Sequence, residues 1–213
     1  YSEGGSLAAV FAAMHPDRVS ALIAYGSFAR MLRAPDYPDG WSEDQLSAFL
    51  EGASKAGMTG DYYDVVVPSR HGDKRFREWF ARITRQAASP AMMELSLRAN
   101  AAIDIRQLLP SIRVPTLIIH RIEDRLVLVA HGRYLAEHIP AAKYVELEGG
   151  DHWPWFGDTD AVVEEVEEFL TGMRHEGPSD RILATVMFTD IVGSTGHVAK
   201  MGDKAWRQLL DQH

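Results

Sequence analysis

The sequence contains no cysteine, which excludes disulfide bridges and thiolate metal sites. A chain without cysteine suits the reducing cytoplasm, where we expect this protein to work. No apolar run is long enough to cross a bilayer and no signal peptide is visible, so we expect no membrane span in this stretch. Basic residues are outnumbered, since 22 Lys and Arg face 30 Asp and Glu and give a net charge of -8. A nucleic-acid binder needs a basic face, so nucleic acid is not an expected partner.

An initiating methionine is also absent, because the chain opens with the stretch Tyr1-Ser2-Glu3-Gly4-Gly5. Its 213 residues have room for one domain and part of another. We therefore expect a piece of a longer protein, cut at both ends. A partial sheet exposes strand edges and apolar faces, so we also expect this piece to be poorly soluble when expressed alone.

Short apolar runs alternate with helical patterns, which predicts an α/β fold with a parallel sheet. Strands are predicted at 19–25 ("VSALIAY"), at 114–120 ("VPTLIIH") and in "KYVEL". The segment over 28–111 is predicted to be mostly helical, with helices over 44–56, 74–87 and 90–100.

Two amphipathic helices are predicted outside the 28–111 segment, one directly after Ser2 and one over 160–171. The helix after Ser2 should bury an apolar surface formed by Leu7, Ala8, Val10, Phe11 and Met14. The helix over 160–171 should bury Val162, Val163, Val166, Phe169 and Leu170, with its four glutamates facing solvent.

Three candidate catalytic side chains, widely separated in the sequence, occur along the chain in the order serine, aspartate, histidine. Ser2 precedes a helix in "YSEGG", while Asp124 and His152 lie in the loops after two predicted strands. Ligands bind beyond the carboxyl ends of strands in open α/β sheets, and a serine nucleophile needs a base that an acid orients. Glu123 competes with Asp124 for the acid role. His120 and His131 compete for the base role, although His120 precedes the acid and His131 is predicted on a helix surface.

Neighbours of the predicted base have two possible roles. Asp151 is predicted to fix the loop that carries His152. The aromatic residues after it either line a pocket or pack beside the core; they are Trp153, Trp155 and Phe156.

Over residues 1–173 the sequence resembles the α/β-hydrolase superfamily, in "HPDRVSALIAYG", "VPTLIIHRIEDRLVLVAHGRYLAEHIP" and "GGDHWPW". The resemblance implies the C-terminal half of an α/β-hydrolase fold, in which the nucleophile lies on a tight turn between strand and helix. It makes Ser2 the nucleophile, His152 the general base and Asp124 the acid. The backbone N–H of Glu3 would be one oxyanion donor.

The same resemblance makes the segment over 28–111 a helical lid that shapes a substrate pocket. It implies a serine hydrolase of the esterase type, with a small ester-like or hydrophobic ligand and no cofactor. A catalytic triad does not guarantee turnover, so the alternative is a non-catalytic sensor of a small molecule.

A second unit is predicted after a linker over 174–180. The string "ILATVMFTDIVGST" predicts a strand ending at Asp190, then a glycine-containing turn into a helix. A carboxylate at a strand end suits Mg²⁺ or Mn²⁺, and a helix N-terminus offers N–H groups to phosphates.

The segment over 181–213 resembles the start of class III adenylate/guanylate cyclase domains, which have a ferredoxin-like α+β fold. The resemblance implies that Asp190 and the carbonyl of Ile191 bind the metal. It places the triphosphate of ATP or GTP beside Val192, Gly193, Ser194 and Thr195. The intact protein would then be a bacterial signalling enzyme that forms a cyclic nucleotide and pyrophosphate as a homodimer, regulated by or joined to the hydrolase domain.

Overall fold

The structure, a computed structural model, describes residues 1–59, 62–174 and 202, and for 54–59 it describes the backbone alone. The chain divides into two units, Tyr1–His175 and Glu176–His213. All helices and strands given below belong to the first unit. Apart from residues 174 and 202, the predicted linker (174–180) and the predicted cyclase segment (181–213) lie outside the described residues.

Among the described residues a parallel sheet of three strands runs in the order β1-β2-β3. The strands are β1 (Leu22–Tyr25), β2 (Thr116–Arg121) and β3 (Lys143–Leu147). All six residues of β2 are buried, as expected for the central strand of a parallel sheet covered on both faces. The strands predicted at 19–25 and 114–120 occur as β1 and β2, but β1 begins at Leu22 and β2 at Thr116.

Helices cover both faces of the sheet. Helices α1 (Glu3–Met14) and α6 (Val129–His138) pack on one face around a core that includes Ile118. Helix α7 (Thr159–Thr171) packs on the other face against Leu117 and its neighbours. Successive strand residues point to opposite faces, so β2 contributes to both cores.

The buried face of α1 differs from the predicted one. Its buried residues are small, while Leu7, Phe11 and Met14 are exposed. The cause is the close approach of α1 to the end of β1, where a Cβ on Gly5 would overlap the Ser27 hydroxyl and lie 2.8 Å from Ser27 Cβ. Only small side chains fit such a contact, so the buried residues are Gly5, Ser6, Ala9 and Ala12.

Helix α7 also departs from its predicted pattern. Val162 is buried as predicted, but Val163 and Leu170 are exposed. Glu165, predicted to face solvent, is 7% exposed, and its carboxylate accepts hydrogen bonds from Lys143 Nζ (3.0 Å) and Arg174 Nη2 (2.9 Å). Two cations compensate the buried charge, which explains how an acid replaces an apolar residue there.

The segment between β1 and β2 is helical. Its helices are α2 (Glu43–Thr59), α3 (Tyr63–Val66), α4 (Lys74–Ala87) and α5 (Pro90–Ala101). Asp73 caps α4 by accepting from Phe76 N at 3.0 Å. The ends of the predicted lid range contribute to the core beside the sheet, because Ala29 near its start and Leu109 near its end are fully buried in the cluster that contains Ile118.

Candidate active site

Ser2 occupies a strained turn directly before α1. Its backbone has φ 52° and ψ -137°, a left-handed conformation that costs a residue with a Cβ about 1–3 kcal/mol. The Ser2 N–H donates to the carbonyl of Tyr25 at 3.0 Å, which ties the turn to the end of β1. The Ser2 hydroxyl makes no capping hydrogen bond to the described backbone of α1, so it remains available for chemistry.

The residue after Ser2 begins the helix. Glu3 is the first residue of α1, and the first N–H groups of a helix have no partner within it. Ser2 and Glu3 line the same cavity. Glu3 thus lies beside Ser2 at the start of the helix, and the role of its N–H as an oxyanion donor stays a prediction.

Asp124 and His152 form a buried hydrogen-bonded pair. The Nδ1–H of His152 donates to Asp124 Oδ2 at 2.7 Å, and the two residues are 1% and 3% exposed. The other carboxylate oxygen, Asp124 Oδ1, accepts from Leu126 N at 2.9 Å and Val127 N at 3.0 Å. These backbone bonds fix the carboxylate, and the carboxylate fixes the tautomer and orientation of the ring.

The opposite ring nitrogen of His152 is left free. Its Nε2 is buried and has no hydrogen-bond partner among the described residues, which is unusual for a buried polar atom. Tyr25 holds the Ser2 backbone, and a Cβ on the next residue, Gly26, would lie 3.2 Å from His152 Cε1 and Nδ1. The structure thus brings the turn of Ser2, the imidazole of His152 and the carboxylate of Asp124 to one place.

The competing acid and bases lie elsewhere or are otherwise engaged. Glu123 is exposed. The buried His120 donates from Nε2 to the Val127 carbonyl at 2.7 Å. The prediction that His131 lies on a helix surface is wrong, because it lies on α6 but is fully buried, with Nδ1 2.6 Å from the Tyr37 hydroxyl. Burial lowers the pKa of both His120 and His131, and that of His131 to about 4.

An apolar cavity of about 120 Å³ opens beside Ser2 and Glu3. Its other walls come from the β1 end, the helical segment and the loop after β2; they include Phe28, Met31, Trp41, Leu46, Phe49, Tyr62, Leu97, Asn100, Leu126 and Val127. Burial raises the pKa of Tyr62 well above its usual range. The hydroxyl of Tyr62 therefore keeps its proton. The cavity suits an apolar group attached to a reacting carbon at Ser2.

The aromatic residues after His152 pack against one another and the helical segment. The ring of Trp153 lies 5.6 Å from that of Phe80 and 5.9 Å from that of Phe156. Trp155 is half exposed and lies 5.1 Å from the Tyr1 ring. None of Trp153, Trp155 and Phe156 is among the described residues that line the Ser2 cavity, and Phe156 lines a separate surface pocket with Arg70 and Phe76.

Sequence reasoning missed two residues at this site. Arg121 ends β2 with only 2% of its surface exposed, and its Nε donates to the Tyr25 hydroxyl at 2.8 Å. The Tyr25 hydroxyl in turn donates to the carbonyl of Asp151 at 2.8 Å, and Asp151 Oδ1 accepts from Ser69 N at 2.9 Å. The available signal was an arginine at the end of a strand whose centre, Leu117–Ile119, is apolar.

The predicted cyclase residues cannot be placed in the same way. The metal-binding candidates Asp190 and Ile191 and the phosphate-binding stretch from Val192 to Thr195 lie outside the described residues. Within the described part of the chain, no group of three or more His, Asp or Glu side chains is arranged to hold a metal ion. In that part, too, no helix has both the length and the apolar content to span a bilayer.

Comparison with known proteins places these findings in context. A family model described as alpha/beta hydrolase fold matches residues 1–159. Two curated relatives from Neisseria meningitidis strains, both pimeloyl-acyl-carrier-protein methyl ester esterases, are 28% identical over 181 and 187 residues. The matches cover 81% and 86% of this chain, and they span 68% and 59% of the relatives' own lengths.

Solved structures match the same region. An esterase from Exiguobacterium antarcticum is 23% identical with a TM-score of 0.70, covering 80% of this chain and 64% of that one. An enol-lactonase from Burkholderia xenovorans is 25% identical with a TM-score of 0.64, covering 80% and 63%. The chain thus spans somewhat less than two thirds of these structures.

Proposed function

The chain belongs to the α/β-hydrolase fold family, and from that premise we propose that it hydrolyses a carboxylic ester with Ser2 as nucleophile, His152 as general base and Asp124 as the acid. The observation that carries the proposal is the 2.7 Å bond from His152 Nδ1 to Asp124 Oδ2, with the buried Nε2 left unpartnered among the described residues. A carboxylate can only accept, so Nδ1 carries the proton and Nε2 carries the lone pair. A base of this form suits removal of the serine proton.

The reaction would proceed in two stages. In the first, His152 Nε2 takes the proton of Ser2 Oγ as the oxygen attacks the ester carbonyl, and the N–H of Glu3 stabilises the negative oxygen that forms. Collapse of this intermediate breaks the bond to the leaving alcohol, which receives the proton from His152. In the second stage, a water molecule deprotonated by His152 attacks the acyl group and releases the acid and Ser2.

The apolar cavity supports an ester with an apolar acyl or alkyl portion. Its walls include Trp41, Phe49 and Leu97, which favour hydrocarbon over charged groups because burying a charge without a partner is costly. The two curated relatives are methyl ester esterases by name, which agrees with ester chemistry at such a site.

A fluorophosphonate probe and a short-chain p-nitrophenyl ester test the proposal in the intact protein. The wild type should be labelled at Ser2 and should hydrolyse the ester. Ser2→Ala should abolish labelling, and Ser2→Ala or His152→Ala should each lower kcat by about three orders of magnitude or more. The exposed Ser47→Ala is the matched control and should keep both properties. Absence of labelling in the folded wild type contradicts the proposal.

A second candidate is binding without turnover, as a small-molecule sensor. The apolar cavity beside Ser2 favours it, because such a cavity can bind a ligand whether or not Ser2 reacts. A ligand that binds the wild type and Ser2→Ala equally, is recovered unchanged and alters the rate of an attached cyclase would support the sensor and exclude the esterase.

We further propose that the segment over 181–213 begins a class III nucleotide cyclase domain, with Asp190 and Ile191 binding Mg²⁺ or Mn²⁺ and the turn from Val192 to Thr195 bordering the triphosphate of ATP or GTP. The support is the string "FTDIVGST", in which a carboxylate precedes a glycine-containing turn. The intact protein would then be a cytoplasmic homodimer that forms a cyclic nucleotide.

A further inference from the structure

Arg121 is a buried cation whose side chain, among the described residues, donates hydrogen bonds to one loop and one tyrosine. Beyond the Nε bond to Tyr25, its Nη1 donates to the carbonyl of Glu148 at 2.6 Å. Its Nη2 donates to the carbonyls of Asp158 at 2.8 Å and Phe156 at 3.1 Å. A buried charge is costly unless it is hydrogen-bonded, and these four bonds compensate that cost. They use the planar, fork-shaped arrangement of the guanidinium donors, which the single ammonium group of Lys could not reproduce.

The three carbonyls that Arg121 binds flank His152 on both sides. Glu148 lies four residues before it, and Phe156 and Asp158 lie four and six residues after it. We call the segment over 148–158 the histidine loop. The guanidinium therefore lies inside the curve of this loop and holds both of its arms.

Two glycines in the histidine loop make room for the guanidinium. Gly149 (φ 95°) and Gly157 (φ 68°) both have left-handed backbones. A Cβ on Gly149 would lie 3.3 Å from Arg121 Nη1, and a Cβ on Gly157 would lie 3.4 Å from Nη2 and 2.6 Å from Asp151 Oδ2. The positive φ at both positions and the close approach of Arg121 and Asp151 favour glycine there.

Tyr25 connects this arrangement to the nucleophile. Its hydroxyl accepts from Arg121 Nε and donates to the carbonyl of Asp151, the residue before His152. Its backbone carbonyl accepts the N–H of Ser2. One residue thus binds the nucleophile turn through its main chain and the histidine loop through its side chain. Burial raises the pKa of Tyr25 to about 12, so the hydroxyl retains the proton that it donates.

We propose that Arg121 and Tyr25 are positioning residues of the hydrolase site, with Arg121 fixing the histidine loop and Tyr25 setting the position of His152 relative to Ser2. The inference rests on the proposed function, because it assigns support to that nucleophile and base. The histidine loop keeps other anchors, since His152 N donates to the Val66 carbonyl at 2.8 Å. Loss of the Tyr25 hydroxyl should therefore displace the base without unfolding the loop.

Tyr25→Phe is the decisive variant, because it removes only the hydroxyl. In the intact protein it should slow fluorophosphonate labelling of Ser2 and lower kcat about tenfold. Its KM should stay close to the wild-type value, because Tyr25 is not among the described residues lining the cavity. Arg121→Met should have the larger effect, and Arg121→Lys should not restore the rate.

Matched controls separate positioning from general stability. Tyr144→Phe removes a hydroxyl bonded to Glu146 Oε1 at 2.9 Å on β3, and Arg133→Met breaks an ion pair with the same carboxylate at 2.7 Å. Neither Tyr144 nor Arg133 lies in the histidine loop, and among the described residues their side chains bind Glu146 and not that loop, so labelling should be unchanged. Near-ultraviolet circular dichroism checks that each variant is folded. Labelling and kcat of folded Tyr25→Phe at the wild-type values would overturn the inference.

A readout that needs no turnover keeps this inference distinct from the proposed function. The proton shared by His152 Nδ1 and Asp124 should give a low-field NMR resonance in the wild type, assigned by its loss in His152→Ala. Tyr25→Phe should broaden or shift that resonance, whereas Tyr144→Phe should leave it unchanged. An unlabelled wild type with this resonance perturbed by Tyr25→Phe would contradict the esterase and support the positioning roles. An unperturbed resonance would overturn the positioning roles.

Discussion

Gly26 lies directly against the imidazole of His152. A Cβ at Gly26 would come within 3.2 Å of His152 Cε1 and Nδ1 and within 3.5 Å of Asp124 Oδ2. The Gly26 N–H donates to the Ile119 carbonyl at 3.0 Å, which holds this backbone between β1 and β2. The residue after β1 therefore packs closely on the catalytic base candidate, and its positive φ together with this close contact favours glycine there.

Replacing Gly26 with alanine should impair catalysis more than stability. The new methyl group would press on the His152 ring and displace it from Asp124, so we expect kcat to fall about tenfold or more. The left-handed φ of 53° adds strain of about 1 kcal/mol. Ester hydrolysis and urea unfolding of the intact protein measure the two effects.

Gly72→Ala is the control for that experiment. Gly72 also has a left-handed backbone (φ 80°), but an added Cβ would meet nothing within 4 Å among the described atoms. It should show a similar strain cost and unchanged kcat. Equal kcat for Gly26→Ala and Gly72→Ala would show that contact with His152 does not matter.

Gly5→Ala should destabilise the protein because α1 packs closely on the end of β1. The added Cβ would overlap the Ser27 hydroxyl, and overpacking of this kind typically costs about 1–3 kcal/mol. Gly52→Ala in α2 is the control, since no described atom lies within 4 Å of its added Cβ and alanine favours helix by about 1 kcal/mol. Chemical denaturation should give opposite signs for the two variants. A stabilising Gly5→Ala would contradict the close packing.

The main elements of the first unit were predictable because their sequence patterns are local. The apolar run in β2 and the alternation of strands with helices predicted a parallel sheet, and α4 begins and ends at the predicted residues. The Ser2, Asp124 and His152 candidates followed from their order, from the position of Ser2 before a helix and from the positions of Asp124 and His152 after strands. Such features depend on periodicity and on strand ends, which a single sequence displays.

The buried faces of helices and the support of the site were not predictable in that way. Leu7 in α1 is exposed because the helix approaches β1 too closely for large residues. Glu165 is buried because Lys143 and Arg174 happen to lie beside it. The bonds of Arg121 depend on a loop whose path is set by tertiary contacts. These properties arise from residues distant in sequence, so periodicity does not reveal them.

Asp190→Asn should remove nucleotide cyclisation in the intact protein if this residue binds the metal. Loss of a carboxylate ligand should lower the rate of Mn²⁺- or Mg²⁺-dependent formation of cyclic AMP or cyclic GMP by roughly 100-fold or more, because bound metal ions stabilise the transition-state charge by several kcal/mol. Asp180→Asn, in the predicted linker, is the matched control and should keep the wild-type rate. Chromatography of the products from ATP and from GTP measures the activity. Wild-type activity in Asp190→Asn would exclude the metal assignment.

Acidification below pH 6.5 should destabilise the first unit through two of its buried histidines, His120 and His131. The pKa of His131 falls from an unfolded value of about 6.5 to about 4 on folding, and that of His120 also falls, because burial disfavours the charged ring. The unfolded chain therefore binds more protons between these limits, and stability is lost as pH falls from 6.5 towards 4. The loss from His131 should reach about 3 kcal/mol.

Substitution of His131 isolates its share of this pH dependence. His131→Asn cannot titrate and can keep a hydrogen bond to Tyr37, so its free energy of unfolding should vary less between pH 7 and 4.5 than that of the wild type. The exposed His138→Asn is the control and should retain the wild-type slope. Arginine partners lower the pKa values of the Asp104 and Glu146 carboxyl groups. Because unfolded carboxyl groups titrate near pH 4, these two groups lose their stabilising contribution only at lower pH. Urea unfolding at the two pH values measures the difference, and equal slopes for His131→Asn and the wild type would contradict a buried, neutral His131.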